Sequence, residues 1–426
     1  MNYEQSLGYI FSRLPMFHRV GAAAYKPDLG NIEALCEALG QPQLGFRSVH
    51  IAGTNGKGSV SHMLASVLME AGLKTGLFTS PHLTDFRERI LVNGKMIPKA
   101  RVARFITRNE KVFSSVLPSF FEMTTALAFE HFRDEKVDIA VVETGLGGRL
   151  DSTNIITPVA AVITNISYDH SQFLGDTLVK IAAEKAGIIK RSVPVVIGET
   201  QEEIDGVFIG KAAEVGAPLL FADQVFRATA SDSGEYLEVV VSGQGSPAVR
   251  FESPLKGHYQ VKNMITLTGA VRILCMQGYD ITDRHLASGV RNVVANTGLR
   301  GRWQVLSKQP LTICDTGHNE GGLTEVVNQI RKTPHRRLHF VFGTVDDKDI
   351  TNILALLPRD AVYYFCKASV PRGLDAAVLA ERAALAGLTG RSFSSVAEAY
   401  RAARSAAAPD DLVFIGGSTF VVAEVL

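Results

Sequence analysis

Short apolar, β-branched runs recur along the chain with amphipathic stretches between them: Val49-His50-Ile51-Ala52, then residues 75–78, 137–142, 159–164 and 193–197. Strands alternating with helices predict a mostly parallel sheet covered on both faces, an α/β fold. After the first run, Val60, Met63, Leu64, Val67, Leu68 and Ala71 fall at the spacing of one helical face, with Gly72 as the stop signal. Two stretches break the alternation. Asn93-Gly94 is a hairpin signal, and residues 224–252 alternate as antiparallel strands do; both read as decorations of the sheet edge.

Beyond Asn296-Thr297-Gly298 the alternation restarts, with apolar runs at 311–314, 338–342, 362–365 and 412–415 and helical stretches such as 376–386. The pattern predicts an N-terminal α/β domain with a mostly parallel sheet over residues 1–296, and Gly53-Thr54-Asn55-Gly56-Lys57-Gly58-Ser59 after its first strand makes it a P-loop nucleotide-binding domain. A smaller Rossmann-like α/β C-terminal domain follows over 299–426, and Gly298 and Gly301 mark a hinge near 297–301. The length of 426 residues agrees, since one core rarely extends past about 250 to 300.

Charge and cysteines narrow the partners. A net charge of +1 with interleaved signs gives no basic stripe, so nucleic acid is not expected and the substrates are small. Cys36, Cys275, Cys314 and Cys366 have no paired spacing, which suits a reducing compartment and offers neither a zinc site nor a disulfide framework. The N-terminus is polar and acidic, and no apolar run approaches the roughly 20 residues of a membrane span. A cytoplasmic, monomeric protein is expected.

The candidate chemistry begins where the first strand breaks into Gly53-Thr54-Asn55-Gly56-Lys57-Gly58-Ser59 and opens a helix. Glycines let consecutive N–H groups converge on phosphate oxygens, Lys57 supplies a mobile cation, and Ser59 a hydroxyl for phosphate or Mg²⁺. The loop is shorter than the common Gly-x-x-x-x-Gly-Lys-Ser/Thr form, because position 51 is Ile and Gly58 separates lysine from serine. Glu143, at the carboxyl end of its strand and followed by Gly145-Leu146-Gly147-Gly148-Arg149, is placed to bind the nucleotide's Mg²⁺; position alone equally allows a solvent-facing glutamate. His170 follows another strand and reads either as a metal ligand or as a satisfied surface histidine. Lys185 reads as a solvated lysine paired with Glu184 or a neighbouring turn. Asp315, in Cys314-Asp315-Thr316-Gly317-His318-Asn319, is as well suited to a ribose hydroxyl as to a helix N-cap.

Taken together these blocks resemble folylpolyglutamate synthase and dihydrofolate synthase, the folate branch of the Mur-ligase-like ATP-dependent amide ligases, nearly from end to end. The matching segments are 53–59, Thr79-Ser80-Pro81-His82-Leu83, 143–151, Asp169-His170 with Leu174-Gly175, Glu184-Lys185-Ala186-Gly187-Ile188, Gly301-Arg302, and Asp315 with His318-Asn319. The resemblance implies Mg²⁺ ligands at Ser80, Glu143 and His170, beside Ser59, and an N-carboxylated (carbamylated) Lys185. It implies ATP contacts by the 54–59 loop, Asn263, Arg302, Asp315 and His318. The pteroate pocket would draw on Asp28, Ser119-Phe120-Phe121-Glu122 and Leu150-Asp151-Ser152. The implied reaction is phosphoryl transfer from ATP to a dihydropteroate or reduced-folate carboxylate, followed by attack of the L-glutamate amine on the acyl phosphate. Lys57 and Arg302 would neutralise charge, and domain closure would exclude water. The chain departs from the family's commonest pattern in having Ser119-Phe120-Phe121-Glu122 for Thr-Tyr-Phe-Glu, Ser152 for Ala, Arg300 for the Pro of Pro-Gly-Arg, and Gly317-His318-Asn319-Glu320 for Ala-His-Asn-Pro. The alternatives are a small-molecule kinase, which would need no amine, and another Mur-type amino-acid ligase. A guanine-reading switch is disfavoured because no Asn-Lys-x-Asp occurs.

Overall fold

The computed structural model describes residues 1–13, 28–243, 246–346 and 350–426. They form two compact units, the first of Met1–Pro254 and Gln260–Leu299, the second of Leu255–Tyr259 and Arg300–Leu426.

The first unit is built on β1 (Arg47–Ala52), β2 (Thr75–Phe78), β3 (Ile90–Val92), β4 (Lys95–Met96), β5 (Ile139–Glu143), β6 (Ala160–Ile163), β7 (Val195–Ile197) and β8 (Leu219–Phe221). Their order across the sheet is β4-β3-β2-β5-β1-β6-β7-β8. From β2 to β8 neighbours run parallel. Every residue of β2, β5, β6 and β7 is buried, which is why these strands read as unbroken apolar runs rather than as alternation. The 93–94 signal is a true hairpin: Asn93 and Gly94 both have positive φ (46° and 72°), as a tight two-residue turn requires, and β3 joins the sheet antiparallel to β2.

Residues 224–252 differ from the expectation. They do not extend the edge of the large sheet but form one of their own, β11-β10-β9, from β9 (Phe226–Asp232), β10 (Leu237–Gly243) and β11 (Ser246–Ser253). Buried Leu237, Val239 and Val241 alternate along β10, and the sheet packs on the helices Gln260–Met276 and Asp283–Arg291. An apolar face of that size needs a layer to cover it, and a sheet edge offers only backbone groups.

The second unit holds β12 (Gln304–Lys308), β13 (Leu311–Cys314), β14 (Leu338–Phe342), β15 (Val362–Cys366), β16 (Gly390–Phe393) and β17 (Leu412–Gly416). Their order is β12-β13-β17-β14-β15-β16, with β12 alone antiparallel to its neighbour. Its core includes Phe340, Tyr363, Phe365 and Phe414, and the chain's single tryptophan, Trp303, packs on Phe414 with ring centroids 5.6 Å apart. The four cysteines are free, three of them buried. Among the described residues no helix is long and apolar enough to cross a membrane.

Candidate active site

The phosphate loop leaves the sheet from β1, whose neighbours are β5 and β6. This is the ligand-binding edge of an open parallel sheet. Gly53 (φ 140°) and Gly56 (φ 86°) shape the turn, and no other residue fits: an added Cβ would overlap Thr164 Oγ1 at the first and Asn263 Oδ1 at the second. The helix Lys57–Glu70 follows with Gly56 at its N-cap, so no side chain caps its first N–H groups. Such an end suits an anion.

The exit of β6 braces the loop. The Thr54 amide donates to Asn165 O (2.8 Å), the Asn55 amide to Asn165 Oδ1 (3.0 Å), and Thr164 Oγ1 to Asn55 O (2.6 Å). The Asn55 side chain donates to Ser167 Oγ (3.1 Å). On the other side Gln260 Nε2 donates to Ser59 Oγ (3.1 Å), and Asn263 Nδ2 to Gln260 Oε1 (2.8 Å). Asn263 thus lies against the loop. Thr164, Asn165, Ser167 and Gln260 were not singled out by the sequence; no motif marks them, and their role follows from which strands are neighbours.

The charged candidates gather at the same edge. Glu143 pairs in register with Ile51 and is only 3% exposed, so it is not a solvent-facing strand end; its Oε2 accepts the Ser80 amide (3.2 Å). Lys57 Nζ donates to Gly53 O (3.0 Å) and Thr54 O (3.1 Å). Lys185, on the helix Leu178–Ala186, is 4% exposed and donates to the same Gly53 O at 2.8 Å. Burial first, and then the like charge of Lys57, lower its pKa to about 7. The expected pairing with Glu184 does not occur, because that carboxylate is bound by Arg149 (2.8 Å). His170 leaves the β6 loop with φ 51°, its Nε2 3.8 Å from Asp169 Oδ1. Arg89, also unmarked by the sequence, is buried beneath this edge; its Nε donates to His82 Nδ1 (2.7 Å) and its guanidinium lies 5.1 Å above the Phe120 ring.

Among the described residues no three His, Cys, Asp or Glu side chains form a metal cage. A cation here would instead take the Glu143 carboxylate and the Ser59 and Ser80 hydroxyls, hard oxygen donors that fit Mg²⁺. A carbamate on Lys185 would add oxygen of the same kind.

The pteroate candidates divide. Ser119 and Glu122 close a reciprocal cap on the helix Phe120–Glu135, and Glu122 Oε2 also accepts from Asn31 (3.2 Å). Phe120 is core, packed on Phe86, while Phe121 lies against Gly145. Asp28 is exposed and accepts the Gly30 amide (2.9 Å). Asp151 is buried and clasps the glycine loop, accepting from the Leu146 amide (2.7 Å) and the Thr153 amide and hydroxyl (3.0 and 2.5 Å). His50 reaches that hydroxyl at 2.8 Å. Leu150 and Ser152 flank the clasp and are half-buried. Phe121 and 150–152 therefore share the Gly145–Leu150 loop, whereas Ser119 and Glu122 serve the helix start.

In the second unit Asp315 follows β13. It does not cap the next helix; Asn319 does, accepting the Gly322 amide (2.8 Å) in place of the proline-type start. Asp315 Oδ1 accepts from the Gly317 amide (2.8 Å), and Oδ2 from the Trp303 amide (2.7 Å) and the Tyr259 hydroxyl (2.5 Å). Arg302 bonds Thr316 Oγ1, and His318 Nδ1 sits 3.0 Å from Thr316 O.

A phosphate loop between parallel strands, a buried lysine sharing its carbonyl, and a Rossmann-like unit after it define the Mur ligase class. The Mur ligase middle domain matches residues 51–271, and the Mur ligase glutamate ligase domain residues 301–419. A folylpolyglutamate synthase from Lacticaseibacillus casei is 33% identical across 88% of each chain. The structure of Escherichia coli FolC in complex with DHPP and ADP superposes with a TM-score of 0.87 at 30% identity, covering 100% of this chain and 97% of that one. The chain belongs to the folylpolyglutamate synthase/dihydrofolate synthase family. A relative from Haloferax volcanii, named a probable bifunctional folylpolyglutamate synthase/dihydropteroate synthase, is 34% identical over 100% of this chain, which spans 50% of that relative's length.

Proposed function

We propose that the protein is an ATP-dependent amide ligase that joins L-glutamate to dihydropteroate and to the glutamate tail of reduced folates, through an acyl phosphate and with release of ADP and phosphate. The observation that carries this reading is the meeting of Lys57 and Lys185 on Gly53 O, with the buried carboxylate Glu143 ending the strand paired with β1. Family membership and the DHPP and ADP bound by the Escherichia coli protein support the same substrates.

In this reading the loop amides of residues 54–59 and Lys57 hold the ATP phosphates, with Asn263 beside them. Glu143, Ser59, Ser80, His170 and a carbamylated Lys185 hold Mg²⁺, whose chemistry would be to neutralise charge between two anions. The lowered pKa of Lys185, about 7, raises the share of uncharged amine near neutral pH, and only the uncharged amine can add CO₂. Phe121 and the loop clasped by Asp151 border the pteroate, with Asp28, Ser119, Phe120, Glu122, Leu150 and Ser152 as its surroundings. Arg302, Asp315 and His318 are the nucleotide candidates of the second unit. Free cysteines fit a reducing, cytoplasmic setting, and the working form is a monomer.

The test is ADP release with Mg-ATP and glutamate, with and without 7,8-dihydropteroate, followed by product mass. ADP formation requiring both substrates, with a product heavier by one glutamyl unit, supports the ligase. ADP formation without glutamate and a stable phosphorylated product would replace it by the kinase.

A further inference from the structure

Residues Leu255–Tyr259 belong to the second unit although the chain on both sides of them belongs to the first. They are fastened there by design of the side chains around them. Gln329 acts as a substitute strand: its Oε1 accepts the His258 amide (2.7 Å) and its Nε2 donates to Lys256 O (2.8 Å). Gly257 leaves room for the Tyr259 ring to fold back, since a Cβ there would lie 2.5 Å from Cε1 and Cζ. The phenol so placed donates to Asp315 Oδ2 at 2.5 Å.

A carboxylate oxygen accepts about two hydrogen bonds. Oδ2 of Asp315 has two, from Tyr259 and the Trp303 amide, while Oδ1 has the Gly317 amide alone. The remaining acceptor capacity therefore lies on Oδ1. We propose that Tyr259 is a positioning residue for nucleotide-sugar selection: by filling Asp315 Oδ2 and fixing the carboxylate plane, it presents Oδ1 to a ribose hydroxyl. This rests on the reading of Asp315 as a nucleotide contact.

The experiment compares KM and kcat of the full chain for ATP, 2′-deoxy-ATP and 3′-deoxy-ATP in wild type, Asp315→Asn, Tyr259→Phe and Gly257→Ala, with thermal melts as a folding control. Tyr259→Phe keeps the ring and removes one charge-assisted hydrogen bond. It is expected to raise KM for ATP about tenfold with kcat little changed, and to shrink the preference for ATP over one deoxy analogue by a similar factor. Gly257→Ala should act in the same direction by displacing the ring. If Asp315→Asn loses sugar discrimination while Tyr259→Phe and Gly257→Ala keep it, the positioning role is overturned and the nucleotide reading stands. If Asp315→Asn keeps discrimination, both fall together.

Discussion

A lysine buried to 4% exposure works against the fold that holds it, and Lys185 shows in which pH range. Its pKa is lowered from an ordinary 10.5 to about 7 in the folded chain. Between those values the unfolded chain keeps a proton that the folded chain has released, so stability rises with pH there. The burial penalty is full below about pH 7 and fades towards 10.5. Lys185→Met, with CO₂ removed, should therefore raise the unfolding midpoint most at pH 6 and least at pH 10, while turnover collapses. A stability gain independent of pH, or near wild-type turnover, would count against the buried amine and against the carbamate. Lys57 and Glu143 could be picked out in the sequence because each ends or follows an apolar run at a sheet edge. The burial of Lys185 could not: residues 178–185 show where a helix lies but not that its lysine turns towards the phosphate loop.

Among the elements, the turn between β1 and its helix sets the demand on Gly56. A side chain there would combine φ 86° with overlap of Asn263 Oδ1, a conformation costing about 1–3 kcal/mol before any clash. Gly56→Ala is expected to leave the far-UV circular dichroism unchanged and to weaken ADP binding at least tenfold by calorimetry; unchanged affinity would remove the loop from phosphate binding. The helix and the apolar strands were legible because periodicity reports burial directly. The three-stranded sheet was legible as strands but not as a separate layer, since alternation shows that one face is covered and not what covers it. Asn165 and Ser167 stayed hidden for a related reason: they touch the loop only because β6 lies next to β1.

For the molecule as a whole, two compact units, each with buried apolar clusters of its own, predict more than one unfolding step. Trp303, the only tryptophan, lies in the second unit, so its emission follows that unit while circular dichroism follows both. The two melting curves should not coincide, and adding Mg-ADP should shift at least one of them, by about 2.7 kcal/mol at a ligand concentration of 100 Kd. Coincident curves would mean a single cooperative block. The sequence marks a boundary near residue 298 by composition, but the excursion of residues 255–259 has no compositional trace, because five residues are too few to carry a pattern.

That excursion decides how the chain can be taken apart. Cutting before Arg300 would release a polypeptide with all six strands of the second sheet, β12 to β17, yet without the five residues that answer Gln329 and Asp315. A buried carboxylate would lose its phenol and a buried amide both of its backbone partners. A stand-alone second unit therefore has to carry Leu255–Tyr259 grafted back by a linker, and domain exchange between relatives has to move that pentapeptide together with the carboxyl-terminal half.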